Sequence, residues 1–310
     1  MARAAAVVIA TLAALLAFVG ASGAGVTPDT TLLSRYAPIL TLHPQERLSP
    51  VAVDGYLADS DLTVKAAGGT WVPTVIPLET APEAARLDQR LCRASDGPDA
   101  ASCYAAAQAV RGTTPTTYGA VFRSNARIAL QYWLFYTFNP YEQLAPQGRF
   151  WQAHEGDWEA VTVLLDRAER PLLVGLSRHC AGVRRSWTRT PRRSTHPLVY
   201  VALGSHANYF GPATRPLDRV CWPPEALAVY DAYGVTLVDR TARGRVVRPR
   251  VVRITARSPA WMRYRGAWGE TQYVGFPNVD PLAFGSGPAG PAFHDLWRTP
   301  VATPLAWPPG

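Results

Sequence analysis

Apolar and polar positions follow strand-like patterns along most of the chain after residue 127. Residues 157–165 alternate with a period of two, as expected for a strand with one buried face. Residues 128–138 are rich in aromatic side chains, which favour strands. Turns containing Gly and Pro separate these segments, so the pattern predicts a mostly-β fold, a β-sandwich. The other predicted strands are residues 172–176, 198–202, 235–238 and 246–254.

Helical signals are fewer and shorter. Residues 31–42 read as a short helix or turn leading into a strand. Residues 82–93 and 100–111 look helical and are separated by an Asp-Gly-Pro turn, which predicts a small helical insertion over residues 80–115. Residues 225–233 predict one more short helix. The tail over residues 285–310 is rich in Gly and Pro and is expected to be irregular.

The N-terminus decides the expected compartment. Arg3 precedes an apolar run over residues 4–19, and Ser22, Gly23 and Ala24 supply small residues for cleavage. This order is typical of a secretory signal peptide over residues 1–24, which leaves one β-sandwich domain over residues 25–310. We therefore expect a secreted or extracytoplasmic protein with no transmembrane segment in the mature chain. The alternative is an uncleaved membrane anchor.

Four cysteines in an exported chain suggest two disulfides. Three pairings are open. The simplest joins Cys92 to Cys103, which staples the helical insertion, and Cys180 to Cys221, because each pair closes a short loop. The alternative is that one or more of the thiols is buried and free.

The net charge of +8 comes from arginine, since Lys65 is the only lysine. Such basic segments can bind anionic lipid or acidic glycans, whereas an exported protein is not expected to meet nucleic acid. The alternative is a set of solvated arginines without a partner. The two segments contain Arg178, Arg184, Arg185, Arg189, Arg192 and Arg193, and then Arg240, Arg243, Arg245, Arg248, Arg250, Arg253 and Arg257.

The segment HEGDWE is the strongest candidate for chemistry. Asp157 and Glu159 are two residues apart on a predicted strand and so share one face, and His154 lies just before a turn that Gly156 permits. Two carboxylates and an imidazole at a strand end predict a divalent-cation site. Mg²⁺, Ca²⁺ or Mn²⁺ suit the carboxylates, and Zn²⁺ suits them less. The alternative is a salt-bridge cluster with arginine.

Further histidines also follow predicted strands. His179 comes after residues 172–176 and His206 after residues 198–202, so both can reach the pocket if these strands are neighbours. Trp158 and Ser205 are predicted to line the same pocket. Ser205 and His206 do not form a catalytic dyad, because successive residues of an extended chain point apart. The alternative for each histidine is a structural hydrogen bond.

Several motifs in this order resemble the vacuolar protein sorting-associated protein 62 family, over roughly residue 36 to the end. That family implies no defined biochemical activity. The motifs are YWLFYTFN at residues 132–139, HEGDWEAVTV at 154–163, SRHCAG at 177–182, HPLVYVALGSHANY at 196–209, YRGAWG at 264–269 and GPAGP at 287–291.

The same core is similar, more distantly, to the necrosis- and ethylene-inducing-like cytolysins. This resemblance implies a β-sandwich that holds a divalent cation and attacks membranes after binding sphingolipid headgroups. It implies His154, Asp157 and Glu159 as cation ligands, with Asn139 near the place of a further aspartate. Gly156 stands where that family has a second histidine, and Asn139 would replace a carboxylate, so the implied site is weaker than that of the family.

Three functions remain open from the sequence. The first is a secreted protein that binds a divalent cation and an anionic lipid or glycan surface through the HEGDWE pocket. The second is a hydrolase, with Asp157 or Glu159 as base, or a metal-bound water as nucleophile, and His179 or His206 as acid. The third is a structural envelope protein in which HEGDWE is only a buried polar network. An open pocket favours the first two, and a closed one favours the third.

Overall fold

A computed structural model describes residues 27–217, 221–222 and 224–310, and the predicted signal peptide lies outside these ranges. The fold is mostly β. Its centre is a hairpin of two 19-residue strands, β6 and β7, whose pairing runs from Arg127 opposite Asp166 to Ala145 opposite Gly148. Most positions between these ends are buried, and they include apolar side chains as well as the polar Asn139, His154, Glu155, Asp157 and Glu159.

The described residues form eighteen strands and six α-helices. The strands are β1 Ile39–Leu42, β2 Ser60–Lys65, β3 Trp71–Pro73, β4 Arg86–Gln89, β5 Thr116–Arg123, β6 Arg127–Ala145, β7 Gly148–Asp166, β8 Pro171–Arg178, β9 Ala181–Ser186, β10 Arg192–Arg193, β11 His196–Val201, β12 Asn208–Tyr209, β13 Ala213–Pro216, β14 Val238–Thr241, β15 Val246–Val247, β16 Arg250–Arg253, β17 Gln272–Phe276 and β18 Val279–Phe284. The helices are α1 Asp29–Tyr36, α2 Val53–Ala58, α3 Ala101–Val110, α4 Pro224–Ala232, α5 Asp295–Arg298 and α6 Ala302–Ala306.

Two main sheets make the sandwich. The larger has the order β16-β5-β6-β7-β17-β18, and β8 and β9 continue it from the other half of β7. The smaller has the order β10-β11-β1-β15, with β12 paired to β11. Strands β13 and β14 form a separate two-stranded sheet, and β3-β2-β4 form a small three-stranded sheet. Because β7 pairs with both β17 and β8, the HEGDWE segment lies at the middle of the larger sheet.

Both faces of the β6–β7 hairpin are covered, which explains why its sequence is apolar on successive positions rather than only on alternate ones. On one face, side chains such as Tyr132, Val161 and Val163 pack against Val199 of the smaller sheet. The opposite face carries Trp158 and packs on aromatic side chains from the C-terminal third of the chain. A polar side chain on either face therefore needs a partner inside the protein.

Two disulfides join the chain as the short-loop pairing expects. Cys92 bonds to Cys103 beside α3, and Cys180 bonds to Cys221. No free cysteine is present in the described residues. Two disulfides fit an oxidising, extracytoplasmic compartment.

Two expectations about local structure are wrong. Residues 82–93 do not form a helix, because β4 pairs with β2 and Leu87 is buried between the half-buried Arg86 and Asp88, which is a strand pattern. The tail is not irregular throughout, since it contains α5 and α6. Burial of Trp297, whose ring contacts Phe122, gives that segment a packing reason to fold.

The remaining elements lie close to their predicted places. Helix α4 covers most of the helix predicted over residues 225–233. The strand predicted over residues 235–238 is shifted, because β14 begins only at Val238. The strand predicted over 246–254 is divided into β15 and β16, which belong to different sheets. Within the described residues, no helix has the length and apolar character needed to span a membrane. That residues 25–310 form one domain stays a prediction.

Candidate functional site

The HEGDWE segment bends at Gly156, and its carboxyl side chains lie in different environments. Gly156 has a φ of 68°, and a Cβ there would lie 1.7 Å from the carbonyl oxygen of Trp268. Only glycine fits this position. Glu155 lies before the bend and Asp157 and Glu159 follow it, so the bend breaks the regular alternation of side chains along β7.

Asp157 belongs to a buried ion-pair network. Its Oδ2 lies 2.8 Å from Nδ1 of His206, which follows β11 and is completely buried. The other ring nitrogen of His206 lies 3.7 Å from Oε1 of Glu46, an ion-pair distance too long for a hydrogen bond. The imidazole also stacks on Tyr136 of β6, with ring centroids 3.8 Å apart and the planes 3° from parallel. One imidazole thus links the two sheets.

The charges of this network follow from its pairing. Burial opposes protonation of His206, but Glu46 and Asp157 outweigh it and raise the pKa of His206 to about 9. Burial likewise opposes ionisation of Glu46, yet His206 and the backbone N–H groups of Gly204 and Leu48 lower the pKa of that carboxyl. At neutral pH the network contains an imidazolium between two acidic side chains.

Glu159 lies in the same core but has no cation of its own. Burial raises its pKa well above the ordinary value, and the neighbouring Asp157 carboxylate adds to the rise. Ser177 Oγ donates to Glu159 Oε2, and Asn208 donates to the same oxygen at 3.4 Å. Glu159 is therefore favoured in its protonated form, in contrast to Glu46.

A second polar group surrounds Asp239 of β14. Its carboxylate accepts from Ser205 at 2.6 Å and from Tyr209 at 2.5 Å, and His179 Nε2 lies 2.7 Å away. Burial would raise the pKa of Asp239, but His179 and the hydroxyl donors lower it overall. Ser205 bonds to the aspartate and not to a histidine, so the group lacks the serine–histidine contact of a nucleophilic triad.

The structure brings together only part of the predicted site. His206 reaches Asp157, whereas His179 and Ser205 reach Asp239 instead. Asn139 Nδ2 donates to the Ser205 carbonyl oxygen at 3.4 Å, and His154 Nδ1 lies 3.2 Å from the backbone oxygen of Glu155. Burial lowers the pKa of His154. Trp158 does not line this pocket, because it lies on the other face of β7.

These side chains do not fit a divalent cation as they are placed. In the ranges that the structure describes, no group of three or more His, Cys, Asp or Glu residues is placed to hold a metal ion. Asp157 already has the His206 imidazolium as its counter-charge, and Glu159 is bonded to Ser177 and Asn208. The predicted cation stays a prediction.

Two important members of these networks carried no sequence signal. Glu46 lies in a loop, and Asp239 is one acidic residue on a short strand. Neither belongs to a recognisable spacing. Ser177, Asn208 and Tyr209 lie inside the motifs SRHCAG and HPLVYVALGSHANY, but the sequence assigned no role to them.

An open cleft of about 490 Å³ adjoins the network. Glu46 and Gly204 belong to both, since the Gly204 N–H donates to Glu46 Oε2 at 2.8 Å and both residues line the cleft. Three guanidinium groups face it, from Arg47, Arg149 and Arg240. Its other lining residues are Gln45, Pro98, Asp99, Ala101, Ser102, Pro140, Glu142, Leu144 and Leu203.

The three arginines differ in their partners. Arg149 bonds to Asp99 through two nitrogens at 3.0 Å and to Glu142 at 2.6 Å. Arg47 instead donates to the Ser102 hydroxyl, and Arg240 donates to a backbone oxygen. Neither Arg47 nor Arg240 has a carboxylate within ion-pair distance among the residues described.

No known protein family matches this chain, and no curated protein matches it either. Some solved structures are similar. "NLPPya in complex with glucosamine" is 13% identical with a TM-score of 0.38, and the match covers 75% of this chain and 76% of that one. "Toxin fold for microbial attack and plant defense" is 14% identical with a TM-score of 0.39, over 76% and 78% of the two chains.

A third similar structure is Necrosis and Ethylene inducing Protein 2 from the causal agent of cocoa's Witches Broom disease. It is 18% identical with a TM-score of 0.30, over 58% of this chain and 67% of that one. At these identities and TM-scores the likeness carries no argument about activity. The resemblance to the vacuolar protein sorting-associated protein 62 family has no support from these comparisons.

Proposed function

We propose that this protein is a non-catalytic binding protein, and that its ligand is an acidic glycan headgroup held in the cleft beside the HEGDWE network. One observation carries the proposal: Glu46 is shared between the buried ion-pair network and the wall of the open cleft. On this proposal, the buried network holds the wall of the cleft in place, and the cleft binds the glycan headgroup.

The buried network is suited to holding the wall of the cleft in place. His206 is completely buried and pairs with acids on both sides, so it has no route to a substrate. A general acid or base must reach the proton that it transfers. The closed network therefore speaks against the hydrolase and leaves the structural protein as the other candidate.

The charges of the cleft favour an acidic ligand. The lining has three arginines and three acidic side chains, so its formal charges cancel. Glu46 is paired with the His206 imidazolium, and Asp99 and Glu142 are both paired with Arg149. Arg47 and Arg240 are therefore the lining charges with no ion-pair partner among the described residues, and guanidinium groups suit planar recognition of carboxylate or phosphate. Neighbouring hydroxyl and amide groups, such as Ser102 and Gln45, can bond to sugar hydroxyls.

The test is a titration of the purified protein with a glucuronate-containing tetrasaccharide and, separately, with phosphatidylcholine vesicles with and without phosphatidylinositol. We expect the combined Arg47→Ala and Arg240→Ala variant to bind about 10-fold or more weakly, which corresponds to about 1.4 kcal/mol. Binding of the tetrasaccharide identifies a free glycan, and binding of only the phosphatidylinositol vesicles identifies a lipid headgroup.

The combined Arg243→Ala and Arg257→Ala variant is the matched control, because it removes the same two charges from exposed positions outside the cleft. An equal loss in this control would mean that net charge, and not the cleft, drives binding. Failure of the wild type to bind either probe would overturn the proposal and leave the structural role.

A further inference from the structure

A second open cleft, of about 620 Å³, lies away from the arginine cleft and shares none of its lining residues. Strand β4, strand β17 and the loops over residues 265–271 and 285–289 enclose it. Half of its lining residues are Gly or Ala, which leaves space, and the other half carry functional side chains. They are Trp71, Glu83, Arg86, Arg265, Glu270, Thr271, Tyr273 and Ser286.

One wall of this cleft is held in a fixed arrangement. The Arg86 guanidinium lies 4.0 Å from the centroid of the Trp71 ring, and its Nε donates to Asp88 at 3.1 Å. Nη1 of Arg86 donates to the Glu270 carbonyl oxygen at 3.3 Å. The Tyr273 hydroxyl donates to Oε1 of Glu270. Side chains held by several partners lose little conformational entropy when a ligand binds.

This wall leaves one donor and one acceptor open. Arg86 Nη2 and Glu270 Oε2 have no hydrogen-bond partner among the described residues, although the other polar atoms of both side chains do. Both residues line the cleft beside the Trp71 ring. A donor and an acceptor side by side match the hydroxyl groups of a sugar, each of which can accept from one and donate to the other.

Charge pairing distinguishes this cleft from the first. Both of its arginines have a carboxylate partner, Arg86 in Asp88 and Arg265 in Glu83. Arg265 and Glu83 lie 3.4 Å apart at the exposed rim. An acidic ligand would meet the glutamates and a basic one the arginines, whereas a neutral polyhydroxylated ring can bond to both.

We infer that this second cleft binds a neutral pyranose, with Arg86 and Glu270 bonded to its hydroxyls and with the Trp71 ring holding the Arg86 guanidinium in place. The site differs from the arginine cleft in place, charge pairing and ligand, and it does not rest on the proposed function. A chain with both sites binds a glycan that carries a neutral sugar as well as an acidic one, or binds two glycans.

Saturation-transfer NMR with three neutral trisaccharides, cellotriose, maltotriose and chitotriose in its N-acetylated form, tests the inference. We expect transfer to at least one of them. Trp71→Ala should reduce the affinity for it at least 5-fold, and Glu270→Gln should reduce it because a neutral amide is a weaker acceptor than a carboxylate. Trp71→Phe keeps an aromatic ring and should restore most of the affinity.

Trp187→Ala is the matched control, because Trp187 is also a tryptophan covered by an arginine, with Arg192 5.1 Å from its ring centroid, and it lies outside this cleft. Absence of transfer to all three sugars, or an equal loss in the Trp187 variant, would overturn the inference. The combined Arg47 and Arg240 variant should bind neutral trisaccharides as the wild type does, so the two proposals can fail separately.

Discussion

Glu155 and Asp157 are separated by one glycine, yet their side chains enter opposite electrostatic environments. Asp157 meets the His206 imidazolium at 2.8 Å. Glu155 meets only neutral donors: the Tyr104 hydroxyl at 2.6 Å and the Glu270 backbone N–H at 3.3 Å. Burial raises the pKa of Glu155 to about 7, because those donors only partly offset the loss of water.

Counter-charge, and not position in the motif, decides whether the pKa of a buried carboxyl is lowered or raised. Glu46 is buried like Glu155, at 8% exposed against 1%, but its pKa is lowered because His206 lies beside it. Glu159 lacks such a cation and its pKa is raised. The Gly156 bend decides which environment each side chain enters.

Removing the imidazole should give the largest effect. His206→Ala leaves Asp157 and Glu46 buried without their shared cation, and loss of one partner of a buried ion pair costs about 3–5 kcal/mol. Urea denaturation measures this free energy of unfolding. His43→Ala is the control, since His43 is half-buried and accepts only a bond from the Gln45 backbone. Equal losses in the two variants would show that the network has no special role.

A side chain at the Gly156 bend should destabilise the protein slightly less than loss of the His206 imidazole. Gly156→Ala places a Cβ against the Trp268 carbonyl oxygen at a φ of 68°, so strain and overpacking together should destabilise the protein by about 2–4 kcal/mol. Gly211→Ala is the control, because nothing lies within 4 Å of a Cβ there. A melting temperature unchanged by Gly156→Ala would contradict the close approach of Trp268.

The raised pKa of Glu155 should make the stability of the protein depend on pH. Glu155 has a folded pKa of about 7 against 4.5 for the unfolded chain, so the folded state binds more protons between these values and stability falls as pH rises through them. Glu155→Gln should remove this fall, which is at most about 1.4 kcal/mol per pH unit. Glu83→Gln, at an exposed position, should leave the pH profile unchanged.

The contribution of His206 to stability should be lost at higher pH than that of Glu155. Its folded pKa of about 9 exceeds the unfolded value of 6.5, so its contribution is complete below 6.5 and is lost as pH rises through 9. Denaturation curves between pH 6 and pH 10, for the wild type and Glu155→Gln, locate this loss. If Glu155→Gln also removed the alkaline loss, the two sites would not be independent.

The smallest expected effect is that of a chelator. Because Asp157 and Glu159 already have partners within the protein, EDTA should leave the melting temperature of the wild type unchanged. A cation bound only to the folded state would stabilise it, so EDTA would then lower the melting temperature. That result, together with a metal found by elemental analysis in the wild type and absent from Asp157→Ala, would establish the predicted cation instead.

The sequence predicts the sheet at the middle of the chain better than its surroundings. Residues 128–138 and 157–165 read as strands because aromatic side chains and alternation are local properties, and both lie within β6 and β7. Residues 82–93 read as a helix because Ala, Glu and Arg favour one locally, but pairing with β2 overrides that propensity. Sheet pairing is long-range, and no local pattern records it.

By itself, the sequence determined a mostly-β protein, the four cysteines available for two disulfides, and the acidic segment around Gly156. The tertiary structure alone decided that Glu46 and Asp157, which are far apart in the sequence, share one imidazolium, and that Glu155 does not. The physical reason is that ionisation of a buried group depends on charges within a few ångströms, and those distances exist only after the sheets have packed.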